Sequence, residues 1–250
     1  MTLLKVDQLS IFNNGHVPLV RSISFTVNRN QIAGIVGRSG SGKTLTAKAL
    51  INRLPHNLYK KGEIVYKNGL NNDQQPLCGK HIGMIMQNPL DAFNPSKKIC
   101  YHFRESLKVH KPMSKKSMDL KSIEMMQKLH IENANEVYYK HPFELSGGML
   151  QRIMIAITLV VEPSIIIADE PTTALDTMNR KNLIKLFKEI RDMYQTSILI
   201  ITHDLNFVAA LADEVFVMKD GEIVDRGSTK HIFNNSTHPY TEKLCQLALQ

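Results

Sequence analysis

Several things are scarce or missing in this chain, and each scarcity removes a class of protein. Cysteine occurs only at Cys78, Cys100 and Cys245 in 250 residues. An odd number, far apart, excludes a disulfide scaffold, gives no metal-ligand spacing and suits a reducing cytoplasm. Long hydrophobic runs are missing: the most apolar stretch, Ile153 to Ala168, is broken by Glu162 and Pro163. It falls short of the ~20 apolar residues a spanning helix needs. The start, Met1-Thr2-Leu3-Leu4-Lys5-Val6-Asp7, has an acid where an export signal would carry its apolar centre, so no export signal is expected. Internal repeats and low-complexity tracts are also lacking, as is any aromatic-interleaved basic stretch of the kind that grips nucleic acid. One compact unit with no nucleic-acid partner is expected.

Acidic residues are outnumbered, 23 Asp and Glu against 31 Lys and Arg, for a net charge of +8. Such a bias favours anionic partners: nucleotide phosphates, nucleic acid or a phospholipid surface. Much of it lies between Lys97 and Lys128, with Lys108, Lys111, Lys115, Lys116 and Lys121 spread along the segment. A solvated helical surface and a membrane-facing surface both fit that spacing. The 43% hydrophobic content is ordinary globular usage, and the length fits one large α/β domain with room for an inserted subdomain.

Residues 1–86 alternate short apolar strands with turns, as in Glu63-Ile64-Val65-Tyr66 followed by Lys67-Asn68-Gly69. Gln31 to Val36 reads as a buried strand that enters a Gly-rich turn and then a helix beginning near Lys43. From Pro89 to Val161 the pattern is helical. A buried strand returns at Ser164 to Ala168, and a helix is predicted from Thr177 to Tyr194. Asp176 is its N-cap, and Leu183, Leu186, Phe187, Ile190 and Met193 form its apolar face. Ser197 to Ile201 is another buried strand, and Asp220-Gly221 turns a hairpin between Glu214–Met218 and Glu222–Val224. The pattern is a parallel α/β core interrupted by a helical insertion at 89–161.

The chemistry begins at Gly37-Arg38-Ser39-Gly40-Ser41-Gly42-Lys43-Thr44, which matches G-x-x-x-x-G-K-[ST]. Its glycines let backbone N–H groups turn inward around phosphate oxygens, and the helix that follows adds the positive end of its dipole. Lys43 places a charge on the β- and γ-phosphates, and the Thr44 hydroxyl suits Mg²⁺. A chain this long matches the pattern by chance on the order of once in a hundred. Asp169 closes the run Ile165–Ala168, where a carboxylate can hold the same Mg²⁺. The adjacent Glu170 can polarise an attacking water, which favours hydrolysis over binding alone. Gln87 follows the strand Ile82–Met86, where its amide can reach both Mg²⁺ and the water. His203 follows Thr202 and the strand Ile198–Ile201, placed to bond the γ-phosphate. Leu145-Ser146-Gly147-Gly148-Met149 opens a helix with bare N–H groups and a hydroxyl, a second anion-binding end. One nucleotide already has its phosphate loop, so this end calls for another.

In this order the elements resemble the ATP-binding cassette superfamily over nearly the whole chain. Gly37–Thr44 resembles its Walker A motif, Ile165–Asp169 its Walker B, and Leu145–Met149 its signature. Gln87 resembles the Q-loop, Ala174-Leu175-Asp176 the D-loop, and His203 the switch histidine. The resemblance implies a P-loop NTPase fold: a RecA-like core with a parallel sheet, an N-terminal antiparallel β region and an inserted α-helical subdomain. It implies one ATP-binding domain over 1–250, with ATP and Mg²⁺ shared between two cassettes. Each signature, here Ser146, Gly147 and Gly148, then serves the partner's ATP. Phe12 stands near the family's adenine-stacking aromatic, with a place in the core as the competing reading.

A finer resemblance, to the ATPases of peptide and nickel importers, rests on Met86 to Pro95, His141-Pro142-Phe143-Glu144 and His238-Pro239-Tyr240-Thr241. A stop at Gln250 is shorter than the oligopeptide ATPases, and with Ser146 to Arg152 it makes the D-type nickel-import subunit the most similar group. This implies an ATPase peripheral to the cytoplasmic face of the cell membrane. Its implied partners are a second ATPase chain, two transmembrane permease subunits and an extracytoplasmic substrate-binding protein, with nickel or a related metal complex as cargo and peptides as the alternative. Soluble cassette ATPases acting on DNA or ribosomes commonly carry two cassettes or a long coiled-coil insertion, neither of which is present. A P-loop small-molecule kinase has no use for Leu145–Met149.

Overall fold

In the computed structural model, which describes residues 1–67, 79, 81–110, 112–173 and 175–248, the apolar runs resolve into two sheets. Asn68, Gly69, Cys78, Lys111 and Ala174 lie outside the described residues. Along the chain come β1 (Thr2–Asn13), β2 (Pro18–Asn28), β3 (Ile32–Val36) and β4 (Leu58–Tyr66), then β5 (Ile82–Ile85), β6 (Ile165–Asp169), β7 (Ser197–Thr202), β8 (Glu214–Lys219) and β9 (Glu222–Ser228). The first sheet is antiparallel, ordered β2-β1-β4. The second is ordered β5-β6-β7-β3-β8-β9, parallel throughout except for the β8–β9 hairpin.

The central strands are covered on both faces, which is why they read as unbroken apolar runs. Successive residues serve opposite cores because side chains alternate across a strand. Ile32, Val36, Ile166, Ala168, Ile198 and Ile200 enter one core. Ala33, Ile35, Ile165, Ile167, Leu199 and Ile201 enter the other, which they share with Leu4, Leu9 and Val27 of the antiparallel sheet and with Ala47 and Leu50 of α1 (Lys43–Leu50).

Between β5 and β6 the chain is helical: α2 (Ile99–His110), α3 (Lys115–Lys128), α4 (Ala134–Val137) and α5 (Gly147–Leu159), with 3₁₀ turns at Pro89–Ala92 and Pro142–Glu144. Asp119 ties three of these helices together. It accepts a two-pronged bond from Arg104 at 2.6 and 2.8 Å and another from Tyr138 Oη at 2.8 Å. Lys108, Lys115 and Lys116 are exposed, while Lys121 pairs with Glu162 at 2.6 Å and Lys128 with Glu124 at 2.7 Å. The basic segment thus lies on an exposed helical surface, part of it in ion pairs.

The opposite core is closed by α6 (Thr177–Tyr194) and α7 (Leu205–Leu211), through Leu183, Leu186, Phe187, Ile190 and Phe207. Asp176 caps α6 as its side chain predicts, accepting the Asn179 N–H at 2.8 Å. Met193 departs from expectation and is exposed. It lies on the flank of the stripe set by Leu183, Leu186, Phe187 and Ile190, and Tyr194 one position later packs inward instead. The helices α7, α8 (Thr229–Asn234) and α9 (Pro239–Ala248) were not foreseen from the sequence. Among the described residues, no helix is long and apolar enough to cross a membrane.

Candidate active site

The loop between β3 and α1 depends on two of its glycines. A Cβ at Gly37 would stand 2.1 Å from the Met218 carbonyl oxygen. That oxygen follows a register shift between Val217 and Met218 in the β8–β9 hairpin. Gly42 caps α1 with φ at 100°, a conformation L side chains rarely adopt. Outside contacts hold the loop's peptide groups: Gly221 N–H donates to the Ser41 carbonyl at 3.1 Å, and Arg38 N–H to Tyr240 Oη at 3.3 Å.

Lys43 Nζ is buried and donates to the Gly37 and Arg38 carbonyls at 2.8 and 3.0 Å. Burial pushes its pKa down, against the opposing pull of the Glu170 and Asp169 carboxylates. An ammonium whose hydrogen bonds, among the described residues, go to neutral carbonyls favours an incoming polyanion. Thr44 Oγ1 donates to Asp169 Oδ1 at 3.3 Å. Burial raises the Asp169 pKa, partly offset by that hydrogen bond.

Glu170 follows β6 with φ at 49°, a left-handed conformation that costs a non-glycine residue about 1–3 kcal/mol and clusters at functional sites. Its N–H donates to the Ile201 carbonyl at 2.7 Å. Its Oε2 accepts from Thr202 Oγ1 at 2.9 Å, from His203 N–H at 3.3 Å, and lies 2.8 Å from His203 Nδ1. All these contacts fall on Oε2, so Oε1 is the oxygen with capacity left to accept a proton from water.

The structure gathers Ser39, Gly40, Gly42, Lys43, Thr44, Gln87, Glu170 and His203 around one cavity of about 380 Å³. Leu19, Leu45 and Thr173 complete its lining. Asp169 stands behind it through Thr44. Arg38 is exposed, and Ser41 is buried with its Oγ lacking a hydrogen-bond partner. Thr173 Oγ1 is likewise unpartnered. Unsatisfied hydroxyls beside a lysine, with a hydroxyl–carboxylate pair of hard oxygens, form a donor set that fits a polyphosphate and Mg²⁺.

Phe12 lies outside this lining. Its ring stacks on Tyr59 at 5.3 Å, with Lys61 Nζ 5.6 Å from its centroid. Its register partner Pro18 precedes the cavity-lining Leu19. Ser146, Gly147 and Gly148 also lie away from the cavity, at the start of α5, where Ser146 Oγ accepts the Met149 N–H at 3.3 Å. A Cβ on Gly147 would meet nothing within 4 Å, and one on Gly148 only Asn179 Oδ1 at 3.9 Å. Neither has a positive φ. Among the described residues, nothing requires glycine at either place.

Residues 20–173 match the family described as ABC transporter. The chain belongs to that family. It is 37% identical over 250 residues to the metal-staphylopine import system ATP-binding protein CntD of Staphylococcus aureus, covering 98% of this chain and 92% of that protein. It is 38% identical over 242 residues to the probable D,D-dipeptide transport ATP-binding protein DdpD of Escherichia coli, covering 94% of this chain and 74% of that protein. The solved structure of cbiO1 from Clostridium perfringens, part of the ABC transporter complex cbiONQ, superposes with TM-score 0.78 at 26% identity over 94% of this chain and 91% of its own. A dimeric ATP-binding cassette in a post-hydrolysis state with ADP and Pi shares the fold with TM-score 0.76 at 22% identity, over 91% of this chain and 99% of its own. The fold is therefore that of a P-loop ABC ATPase, with a mixed sheet, an antiparallel N-terminal sheet and a helical subdomain. This ABC ATPase binds ATP, and its hydrolysis is coupled to transport.

Sequence reasoning passed over Thr202, which positions Glu170, and Met218, whose carbonyl packs on Gly37. Both act through tertiary contact, and neither belongs to a local motif.

Proposed function

We propose that this ABC ATPase drives an importer of nickel or a related transition-metal complex, one held by a small chelator included. The cargo reading rests on the likeness to the metal-staphylopine import ATPase across 98% of this chain. Relatives of similar identity named for dipeptide and oligopeptide transport favour a second reading, peptide import. Deleting the subunit and measuring cell metal content under metal limitation separates them. Unchanged metal uptake with failed growth on a peptide source would sink the metal reading.

The observation that carries the enzymatic roles is the convergence of Lys43, Thr44, Gln87, Glu170 and His203 on one cavity. In this reading the loop Gly37–Thr44 holds ATP, and Phe12 faces the adenine. Thr44, Asp169 and Gln87 would hold Mg²⁺, which would neutralise phosphate charge when bound. Glu170 accepts the proton of the attacking water through Oε1, His203 bonds the γ-phosphate, and Lys43 stabilises charge as it develops.

The glycines of the signature support a shared site. Since nothing among the described residues needs Gly147 or Gly148, their close-approach value lies with a partner cassette, whose ATP they and Ser146 cover. We take that partner to be a different chain, docked with two permease subunits on the cytoplasmic face of the membrane and fed by an extracytoplasmic binding protein. The domain runs 1–250, and the helical subdomain is its 89–161 segment. A pull-down of the adjoining subunits tests this composition, and recovery of this chain without any membrane subunit would count against it.

A further inference from the structure

The late segment His238-Pro239-Tyr240-Thr241 plays no part in the chemistry above, yet it reaches the phosphate loop. Tyr240, in the first turn of α9, accepts the Arg38 N–H on its Oη at 3.3 Å. The start of α9 is itself anchored. Asp225 Oδ2 in β9 accepts from the buried Thr241 Oγ1 at 2.8 Å and from Ser236 Oγ at 2.5 Å. The ring of Tyr240 carries Lys219 Nζ at 5.2 Å from its centroid, at the end of β8. The hydroxyl is therefore presented by a fixed framework, because both ends of that framework belong to the sheet that also packs on Gly37.

The Arg38 peptide is held from two sides. Its N–H goes to Tyr240 and its carbonyl accepts Lys43 Nζ at 3.0 Å. The second bond belongs to the group that must turn toward phosphate. Once Lys43 turns, Tyr240 is the side chain still bonded to the Arg38 peptide. At the far end of the loop, Gly221 N–H keeps the Ser41 carbonyl. The loop is thus pinned at two points that do not depend on Lys43.

We propose that Tyr240 is a positioning residue for ATP: through the Arg38 N–H it holds the entrance of the phosphate loop in its receiving shape. It makes α9 part of the nucleotide site without touching nucleotide. The proposal rests on reading Gly37–Thr44 as the ATP loop. Pre-set geometry lowers the ordering required on binding, so its loss is read in affinity before turnover.

Tyr240→Phe removes only the hydroxyl and leaves the ring under Lys219. In the assembled transporter the KM for ATP should rise about fivefold, the scale of one neutral hydrogen bond, while kcat falls by a smaller factor. The melting temperature of the full chain without nucleotide should stay at the wild-type value. Thr241→Val, which loosens the anchor at one remove, should raise KM by a smaller factor than Tyr240→Phe. An unchanged KM in Tyr240→Phe overturns the proposal, and so does a lowered nucleotide-free melting temperature without a KM change, which assigns Tyr240 to packing. Lys43→Ala is the control: undiminished hydrolysis there would overturn the loop reading itself.

Discussion

Glu170 combines a left-handed backbone, three contacts on one carboxylate oxygen and a place on the cavity wall. Glu170→Gln keeps the shape and removes the base, so Mg-ATP should bind normally while steady-state phosphate release falls about 100-fold or more. Release near the wild-type rate would remove Glu170 from the chemistry. Asp169 makes the opposite kind of prediction. Burial raises its pKa, so the folded chain holds that proton more tightly than the unfolded chain. Stability is therefore lost as pH rises from the ordinary carboxylate range through the raised value. Asp169→Asn should raise the nucleotide-free melting temperature at neutral pH, with the gain closing on acidification through that window, and should abolish hydrolysis. A variant that melts lower than wild type at neutral pH would contradict this sign.

At the scale of elements, Asp119 is the tie between α2, α3 and the end of α4. The Arg104 bond holds its pKa below the usual carboxylate value, with help from Tyr138 and against its partial burial. A depressed carboxylate contributes stability that is present above the unfolded pKa and lost as pH falls through the folded one. Asp119→Asn should lower the melting temperature at neutral pH, and the difference from wild type should shrink as acid protonates Asp119. The start of α5 carries the next prediction. Gly148→Asp adds a carboxylate where a Cβ meets only the Asn179 side chain, at 3.9 Å, so ATP binding by the chain alone should persist. In the assembled pair, like-charge repulsion against a partner's γ-phosphate should suppress hydrolysis. Loss of ATP binding by a folded isolated variant would refute the shared site.

For the whole molecule, the cavity proposed for the nucleotide joins parts drawn from distant stretches: the loop after β3, the ends of β5, β6 and β7, and Leu19 of β2. A ligand that bridges so many elements binds only the folded state. ATP at 100 times its dissociation constant should therefore stabilise the full chain by about 2.7 kcal/mol, read as a raised melting temperature. Lys43→Ala should remove most of that shift. A shift that survives in this variant would place ATP elsewhere.

Local chemistry made much of this protein legible before folding. The run Ile32–Val36, Gly42, Lys43 and Asp176 each carry their structural consequence within a few residues, through strand burial, backbone freedom or capping. The same holds for the order of strands and helices around the loop and for the acid pair at 169 and 170. Tertiary structure alone decided which strands are neighbours, and so which strand ends meet. The order β5-β6-β7-β3 brings Gln87, Glu170 and His203 to Lys43 across stretches of 44 to 160 residues of chain. It also decided that Thr202 orients Glu170, that Met218 packs on Gly37, and that Tyr240 bonds Arg38. Such contacts form between single side chains or carbonyls on separate elements, where no periodicity or spacing in the sequence records them.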